Sequence, residues 1–334
     1  MAITDLQILE TRLTPIALDA YLKSDPAAII ALIGYELPST AAEGKVKSKF
    51  TVQWPIIKKQ LERWVGERKT GTVADVSFQF GSERFHITDE ADLDALNDES
   101  TLLRLDQVAQ EQGTAYAIGE PRYLWSPCRD NHLCWTGQNF FDTGHPHLPG
   151  GSETFDNLFT RTVSSSTPPP WALQYPTPAE VVTELEWIWN KLVENALWKA
   201  GMTDLTAIGL EPQLAVMCYD MRTAQAFEAV ARKARIQDLD TLEQLDNPWY
   251  QGFRVVYDPE YAGLGNALTN VVDYIWAQPN GPRPVLYSRP IPQRFRTKAD
   301  EFDTNKIFFG PDGKLAYAPG FPQSAIRVQP PGGG

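Results

Sequence analysis

Cysteine is nearly absent from this chain. Cys128, Cys134 and Cys218 are the three in 334 residues. They are too few and too unevenly placed to frame a disulfide scaffold, so a reducing compartment is expected. Long apolar runs are missing as well. The longest, Ala27 to Ile33, is far below the roughly 18 residues that span a bilayer, which argues against a membrane protein. The first stretch carries Asp5, Glu10, Arg12, Asp19, Lys23 and Asp25 instead of a basic segment followed by an apolar one, so no secretory signal is expected there. Excess positive charge is lacking too. The formal net charge of −12 opposes the phosphate neutralisation that drives tight nucleic-acid binding.

Signatures of catalysis are equally scarce. There is no Gly-x-Ser-x-Gly nucleophile elbow and no Gly-x4-Gly-Lys-Ser/Thr phosphate loop, and Gly263-Leu264-Gly265 lacks the third glycine of a dinucleotide site. The many carboxylates form no recognisable pair, because sequence does not say which of them face each other. One cluster invites a metal reading: Cys128, His132, Cys134, His145 and His147 lie close in sequence. Their spacing, Cys-x3-His-x-Cys and then His-x-His, is not that of structural zinc sites, and a polar, turn-rich packing segment is the simpler expectation. A metal-dependent enzyme built on Cys128, Cys134 and His145 stays as the alternative.

With 43% hydrophobic and 22% charged residues, the chain can bury one large or two modest cores. Leu13 to Tyr35 reads as two helical pieces split at Ser24-Asp25-Pro26, followed by a polar connection over Pro38 to Lys49. Trp54-Pro55 opens a short helix to Trp64. Over Thr72 to Ile87, Val76, Phe78 and Phe80 alternate, and Gly81-Ser82 suggests the turn of a hairpin. The acidic run Asp89, Glu90, Asp92, Asp94, Asp98 and Glu99 reads as a solvated start to a helix from about Ser100 to Ala117. Ser164 to Pro170 is a punctuated loop. After Pro178, the stripe Val181, Val182, Leu185, Ile188, Trp189, Leu192, Val193 and Ala196 marks the clearest helix, ending near Gly201. Leu214–Cys218 and Phe253–Tyr257 read as buried strands flanking a helix over Thr223–Ala234, a mixed α/β subdomain at about 178 to 260. From Pro279 onward the chain reads as strand, with Arg283, Arg289, Arg294, Arg296 and Lys298 in one stretch. That basic stretch lacks interleaved stacking aromatics and fits a partner-contacting surface better than a phosphate site.

Two segments carry a resemblance. Trp54-Pro55-Ile56-Ile57 leading into Leu61-Glu62-Arg63-Trp64-Val65-Gly66-Glu67-Arg68 is similar to the aromatic-Pro and Trp-Val-Gly-acid/basic-Arg segment of the Mu-like phage major head subunit (gpT) family. More specifically, Cys134-Trp135-Thr136-Gly137-Gln138-Asn139-Phe140-Phe141-Asp142-Thr143-Gly144-His145-Pro146 resembles that family's Cys-Tyr-Asp-Gly-Gln-x-Phe-Phe-Asp-x-x-His-Pro, with Trp135 and Thr136 in place of Tyr and Asp. Weaker likeness continues through Gly209-Leu210-Glu211-Pro212, Arg283 to Phe295, Lys306 to Phe309 and Tyr317 to Val328, so order and spacing agree from about residue 50 to 328. Before residue 45 the arm matches in character only.

The resemblance implies an α+β chain with the Hong Kong 97-type capsid fold: an N-terminal arm (1–50), an extended loop and its base (51–96), a peripheral domain with a spine helix (97–150), an axial domain (151–260), and a return to the peripheral domain with the C-terminal tail (261–334). It implies a non-enzymatic major capsid protein of a tailed double-stranded DNA phage, without cofactor, in the virion shell and assembled in the host bacterial cytoplasm. Its partners would be other copies of itself in pentamers and hexamers, a scaffold, a portal, decoration proteins, and packaged DNA contacted weakly and non-specifically, as an acidic chain suits. A tail or baseplate protein of similar composition is the other virion alternative. The residues expected to serve assembly or hold the motif are Trp64, Glu67, Arg68, Phe78, Phe80, Gly137, Gln138, Phe140, Phe141, Asp142, His145, Pro146, Arg289, Arg294 and Arg296. In the motif, Gly137 would permit a tight turn, Phe140 and Phe141 would supply buried area, and Asp142 with His145 would pin the loop.

Overall fold

A computed structural model describes residues 3–37, 47–54, 74–92, 99–147, 152, 154–161, 175–196, 214–237, 244–258, 270–276, 283–300 and 306–330, with backbone alone at 3–8, 47–54, 74–82, 196, 237, 244–245, 290–293 and 299–300. The chain opens with helices α1 (Ile3–Lys23) and α2 (Pro26–Ile33), then strands β1 (Gly34–Glu36), β2 (Lys47–Trp54), β3 (Ala74–His86) and β4 (Asp89–Asp92). Helix α3 (Glu99–Arg129) precedes three short strands, β5 (His145–Pro146), β6 (Thr154–Phe155) and β7 (Leu158–Thr160). Helix α4 (Pro178–Ala196), β8 (Leu214–Cys218) and α5 (Met221–Arg232) follow, and then β9 (Arg235–Gln237), β10 (Gln244–Asp246), β11 (Phe253–Tyr257), β12 (Val272–Trp276), β13 (Val285–Asp300), β14 (Lys306–Pro319) and β15 (Ala325–Gln329). No helix among the described residues is long and apolar enough to cross a membrane.

The chain divides into two compact units, neither of them a single run of sequence. The first comprises 1–50, 79–127 and 286–318, and the second 51–78, 128–285 and 319–334.

In the first unit, Leu9, Leu13 and Ala17 of α1 pack with Leu105 and Ala109 of α3 and with Phe295, Ile307 and Phe309 of β13 and β14. Gly113 sets how close α1 and α3 come, because a Cβ there would lie 2.1 Å from the Ala17 carbonyl oxygen. The expected break of the arm at Ser24-Asp25-Pro26 is present: Asp25 turns through φ +47° and Pro26 begins α2. The sheet order is β1-β13-β14-β3-β2, with β4 also on β14.

Three sequence expectations need correction here. Gly81 and Ser82 do not form a hairpin turn. Both lie inside the continuous strand β3, where Ser82 pairs with Ala316 and Glu83 with Leu315, so long-range ladder bonds override the local turn preference. The acidic run is partly a strand, since Asp89–Asp92 pairs with Phe309–Lys306, and Glu90 is held by Lys306 at 2.6 Å. Helix α3 continues past Ala117 to Arg129 with Pro121 and Pro127 inside it. Pro127 deprives the Tyr123 carbonyl of its i+4 donor, and the Ser126 hydroxyl donates to that carbonyl at 2.8 Å instead.

In the second unit, a sheet of order β11-β8-β12-β15-β7 carries α4 and α5. The β8-α5-β11 segment is a parallel crossover, with Leu214 opposite Phe253 and Cys218 opposite Tyr257. Helix α4 starts where the sequence says it should. Thr177 accepts from the Glu180 N–H at 3.3 Å while the Glu180 carboxylate accepts from the Thr177 N–H at 2.7 Å, a reciprocal cap with Pro178 at the first helical position. It is described as far as Ala196, and the expected end near Gly201 lies outside the described residues. Its stripe Val181, Leu185, Ile188 and Leu192 is fully buried against Leu214, Val216, Tyr274 and Trp276. Asp220 caps α5 by accepting from Thr223 N at 2.8 Å.

Candidate functional site: the Cys134–Pro146 loop and the basic strand

The alternation of β12 and β15 decides what the loop packs against. Val272, Tyr274 and Trp276 face the helices with Ile326 and Val328, so Asp273 and Arg327, cross-strand partners in register, lie on the opposite face. Both are buried, and Arg327 grips Asp273 through two bonds of 2.6 and 2.7 Å. Tyr219 donates to the same carboxylate at 2.5 Å. The Arg327 guanidinium also lies 4.2 Å from the centroid of the Phe141 ring. The loop is thereby attached to the sheet through a desolvated cation.

Within the loop, the Gly137 N–H donates to the Cys134 carbonyl at 3.0 Å and the Cys134 N–H to the Gln138 carbonyl at 2.9 Å, closing a tight turn. Gly137 occupies φ +82°, the left-handed conformation expected of it. Phe140 and Phe141 are buried and meet edge to face at 4.8 Å. The Asn131 amide accepts from Phe141 N at 2.6 Å and donates to Phe141 O at 3.1 Å, as a neighbouring strand would. Asn157 does more: it donates to the carbonyls of Phe140 and Pro322, accepts from Asp142 N, and engages Asp142 and Arg327 through its own backbone. Asn157 is fully buried and its polar groups are all engaged. Sequence reading missed it, since a lone Asn in a polar stretch carries no periodic or motif signal.

Asp142 and His145 both brace the loop, through separate partners. Asp142 accepts from Thr143 N at 2.8 Å, whereas His145 Nδ1 meets Thr136 Oγ1 at 3.1 Å, and its ring stacks on Phe155 at 5.3 Å. Thr136, standing where the resemblance expects Asp, thus joins His145 to the Cys134 sulfur, 3.1 Å from the same hydroxyl. Burial pushes the His145 pKa down and the Cys134 thiol up. Both shifts run opposite to those of an activated thiolate–imidazolium pair. Cys128 is buried, its thiol likewise pushed up by burial, with its sulfur 3.4 Å from the Pro284 carbonyl. Among the described residues, no group of three or more His, Cys, Asp or Glu is placed to hold a metal. Gln138 and Pro146 are half-buried supports of the turn and of β5.

The basic strand divides. Arg289 is committed within its own chain, at 2.8 Å from Glu120 and 2.9 Å from Glu36, and Glu120 also takes the Tyr21 hydroxyl. Arg294 and Arg296 lie 4.0 and 2.9 Å from Asp312, which Arg84 also grips. Phe78 and Phe80 are both on β3, with side chains outside the described residues, and Trp64, Glu67 and Arg68 lie outside them altogether.

The family described as Mu-like prophage major head subunit gpT matches residues 24–174. Over residues 24–174 the chain is similar to that family. The span takes in both the Trp54–Arg68 segment and the Cys134–Pro146 loop; it begins inside the arm, earlier than the resemblance read from the residues, and ends before the downstream stretches. No curated protein matches the chain. Among solved structures, the mature capsid of bacteriophage PhiM1 is similar at 9% identity and TM-score 0.51, and the capsid of cyanophage P-SCSP1u at 10% and 0.50; each comparison covers 90% of this chain and 86% of the other. The procapsid of bacteriophage JBD30 is similar at 15% identity and TM-score 0.48, over 98% of this chain and 76% of that one. The fold is the mixed helix-and-strand fold of Hong Kong 97-like phage capsid subunits. The Cys134–Pro146 loop braces the sheet of the second unit through Phe141, Asn157 and Arg327.

Proposed function

We propose that this protein is the major capsid protein of a tailed double-stranded DNA phage, a structural subunit that assembles into pentamers and hexamers of an icosahedral head. The observation that carries the reading is the gpT family match over residues 24–174 on a chain with the phage capsid fold. Assembly of this kind draws stability from many repeated, modest interfaces. Exposed apolar side chains on helices, Leu18 and Leu22 of α1 and Leu103 and Ile118 of α3, are consistent with surfaces that another subunit covers.

The finer assignments belong to the same proposal. The arm is 1–50, the extended loop with its base 51–96, the peripheral domain with the α3 spine 97–150, the axial domain 151–260, and the return and tail 261–334. Scaffold, portal and decoration proteins are the expected partners, the DNA is touched weakly, and assembly takes place in the host cytoplasm. Trp64, Glu67, Arg68, Phe78 and Phe80 serve contacts of the extended loop, and Arg68→Ala leaves the subunit folded while impairing shell formation. Negative-stain electron microscopy of the protein, expressed alone and with an adjacent scaffold gene, tests the reading. Closed shells, five- or six-membered rings, or polyheads are the expected result; a persistent compact monomer in both samples overturns it.

A further inference from the structure

Residues of β3, β13 and β14 enclose a cavity of about 330 Å³ in the first unit, lined by Arg84, His86, Arg296, Lys298, Phe308 and Asp312, among others. Its charge is unbalanced. Asp312 is largely buried; it accepts from Arg84 Nε at 2.6 Å and from Arg84 Nη2 at 2.8 Å, and it is ion-paired with Arg296, whose Nε lies 2.9 Å away, and with Arg294 at 4.0 Å. One carboxylate thus faces three guanidiniums, and Lys298, exposed on the same rim, has no carboxylate partner among the described residues. The named groups sum to a local charge of +3 in a chain whose net charge is −12.

Asp312 occupies one edge of the Arg84 guanidinium and only the Nε of Arg296. The remaining N–H groups are held in place by that anchor while still free to donate outward. Fixed guanidinium forks of this kind match the two oxygens of a carboxylate, and fixing them beforehand removes much of the ordering cost of binding. Phe308, Phe309 and Pro311 give the cavity an apolar floor suited to the methylene stem of an acidic side chain.

We propose that this cavity is a carboxylate-docking site for a second copy of the same chain, in which an Asp or Glu side chain of the neighbour enters between Arg84, Arg296 and Lys298. Charge complementarity selects that occupant: copies with a net charge of −12 repel one another on average, and a preorganised basic site on each is where a neighbour's carboxylate meets attraction instead. The inference rests on the capsid reading and names one contact within it.

Zero-length carbodiimide cross-linking of assembled particles tests it, because the reagent joins Lys298 to a carboxylate only when the two touch. Particles assembled from mixed light and nitrogen-15 subunits distinguish links between chains from links within one. The expected result is a mixed-isotope peptide joining Lys298 to an Asp or Glu, present in empty shells and absent from Lys298→Arg particles, with Arg84→Glu/Arg296→Glu lowering the particle yield at least tenfold. Shells in which Lys298 links only within its own chain, or not at all, overturn this inference and leave the capsid reading standing. A link seen in empty shells and lost in DNA-filled heads means that phosphate takes the cavity, which also overturns it. A wild-type protein that forms no particle under any condition removes the capsid reading and this site with it.

Discussion

The Phe140–Phe141 loop and the Asp312 cavity are both organised by buried or half-buried polar side chains, yet they differ in what is left over. Beside the loop, the buried charge and the central amide are matched within the chain: Arg327 by Asp273, and the Asn157 amide by three backbone groups. Around Asp312, donors outnumber acceptors, and the arginines are about half exposed. A region whose buried charge is matched inside the chain supports the fold, whereas one that keeps oriented charge in excess is suited to a partner. Substitutions in the two regions should therefore separate stability from assembly.

The largest effect expected is from Arg327→Met, which removes the cation paired with the buried Asp273 carboxylate and leaves it the Tyr219 hydroxyl alone, at a cost of about 3–5 kcal/mol. Chemical denaturation measures it. If Arg327→Met/Asp273→Leu is no more stable than the single variant, the buried-charge explanation is wrong. Asn157→Ala follows, at about 2–4 kcal/mol, because it strands the Phe140 and Pro322 carbonyls and the Asp142 N–H. Gly137→Val should cost about 1–2 kcal/mol through its left-handed backbone, since no neighbouring atom blocks a side chain there.

A smaller, pH-dependent effect belongs to His145. Its folded-state pKa lies below the ordinary 6.5 because burial disfavours the imidazolium. As pH falls below about 6.5, the unfolded chain takes up the proton before the folded one does, so stability present above that value is lost on acidification toward the folded pKa. Melting temperatures at pH 7.5 and 5.5 should therefore fall further apart for the wild type than for His145→Gln, and equal differences would remove the argument. The smallest stability effect is expected at the cavity. Asp312→Asn leaves the melting temperature nearly unchanged, but it loosens the anchored arginines and makes particle yield more sensitive to salt. A large loss of thermal stability from Asp312→Asn would dissolve the contrast between the two regions.

How much of this was legible beforehand depends on the range of the interaction involved. Thr177-Pro178-Ala179-Glu180 specifies the start of α4 within four residues, and the break at Asp25-Pro26 and the turn at Gly137 are equally local. Short apolar runs such as Leu214–Cys218 declare a strand buried on both faces. Gly81-Ser82 and Asp89–Asp92 misled because their local preferences are weak against pairing with β14, more than two hundred residues away in sequence. The expected end of α3 near Ala117 falls short of Arg129, because the helix runs through Pro121 and Pro127 and the side chain of Ser126 makes good one of the lost donors. Cys128, Cys134 and His145, near in sequence, take a carbonyl and a hydroxyl as partners, an arrangement their spacing does not foretell.

By itself, the sequence determined the start of α4, the break at Asp25-Pro26, the turn at Gly137 and the buried stripe of α4. Those are set by φ/ψ preference and by side chains a few residues apart. Only the tertiary structure decided that Arg327 would be matched by Asp273 and overlie Phe141, that Asn157 would hold the loop, and that Arg84 would join Arg294 and Arg296 around Asp312. These pairings join residues 15 to 228 positions apart, and no local preference encodes which charge a strand will find beside it once the sheets have closed.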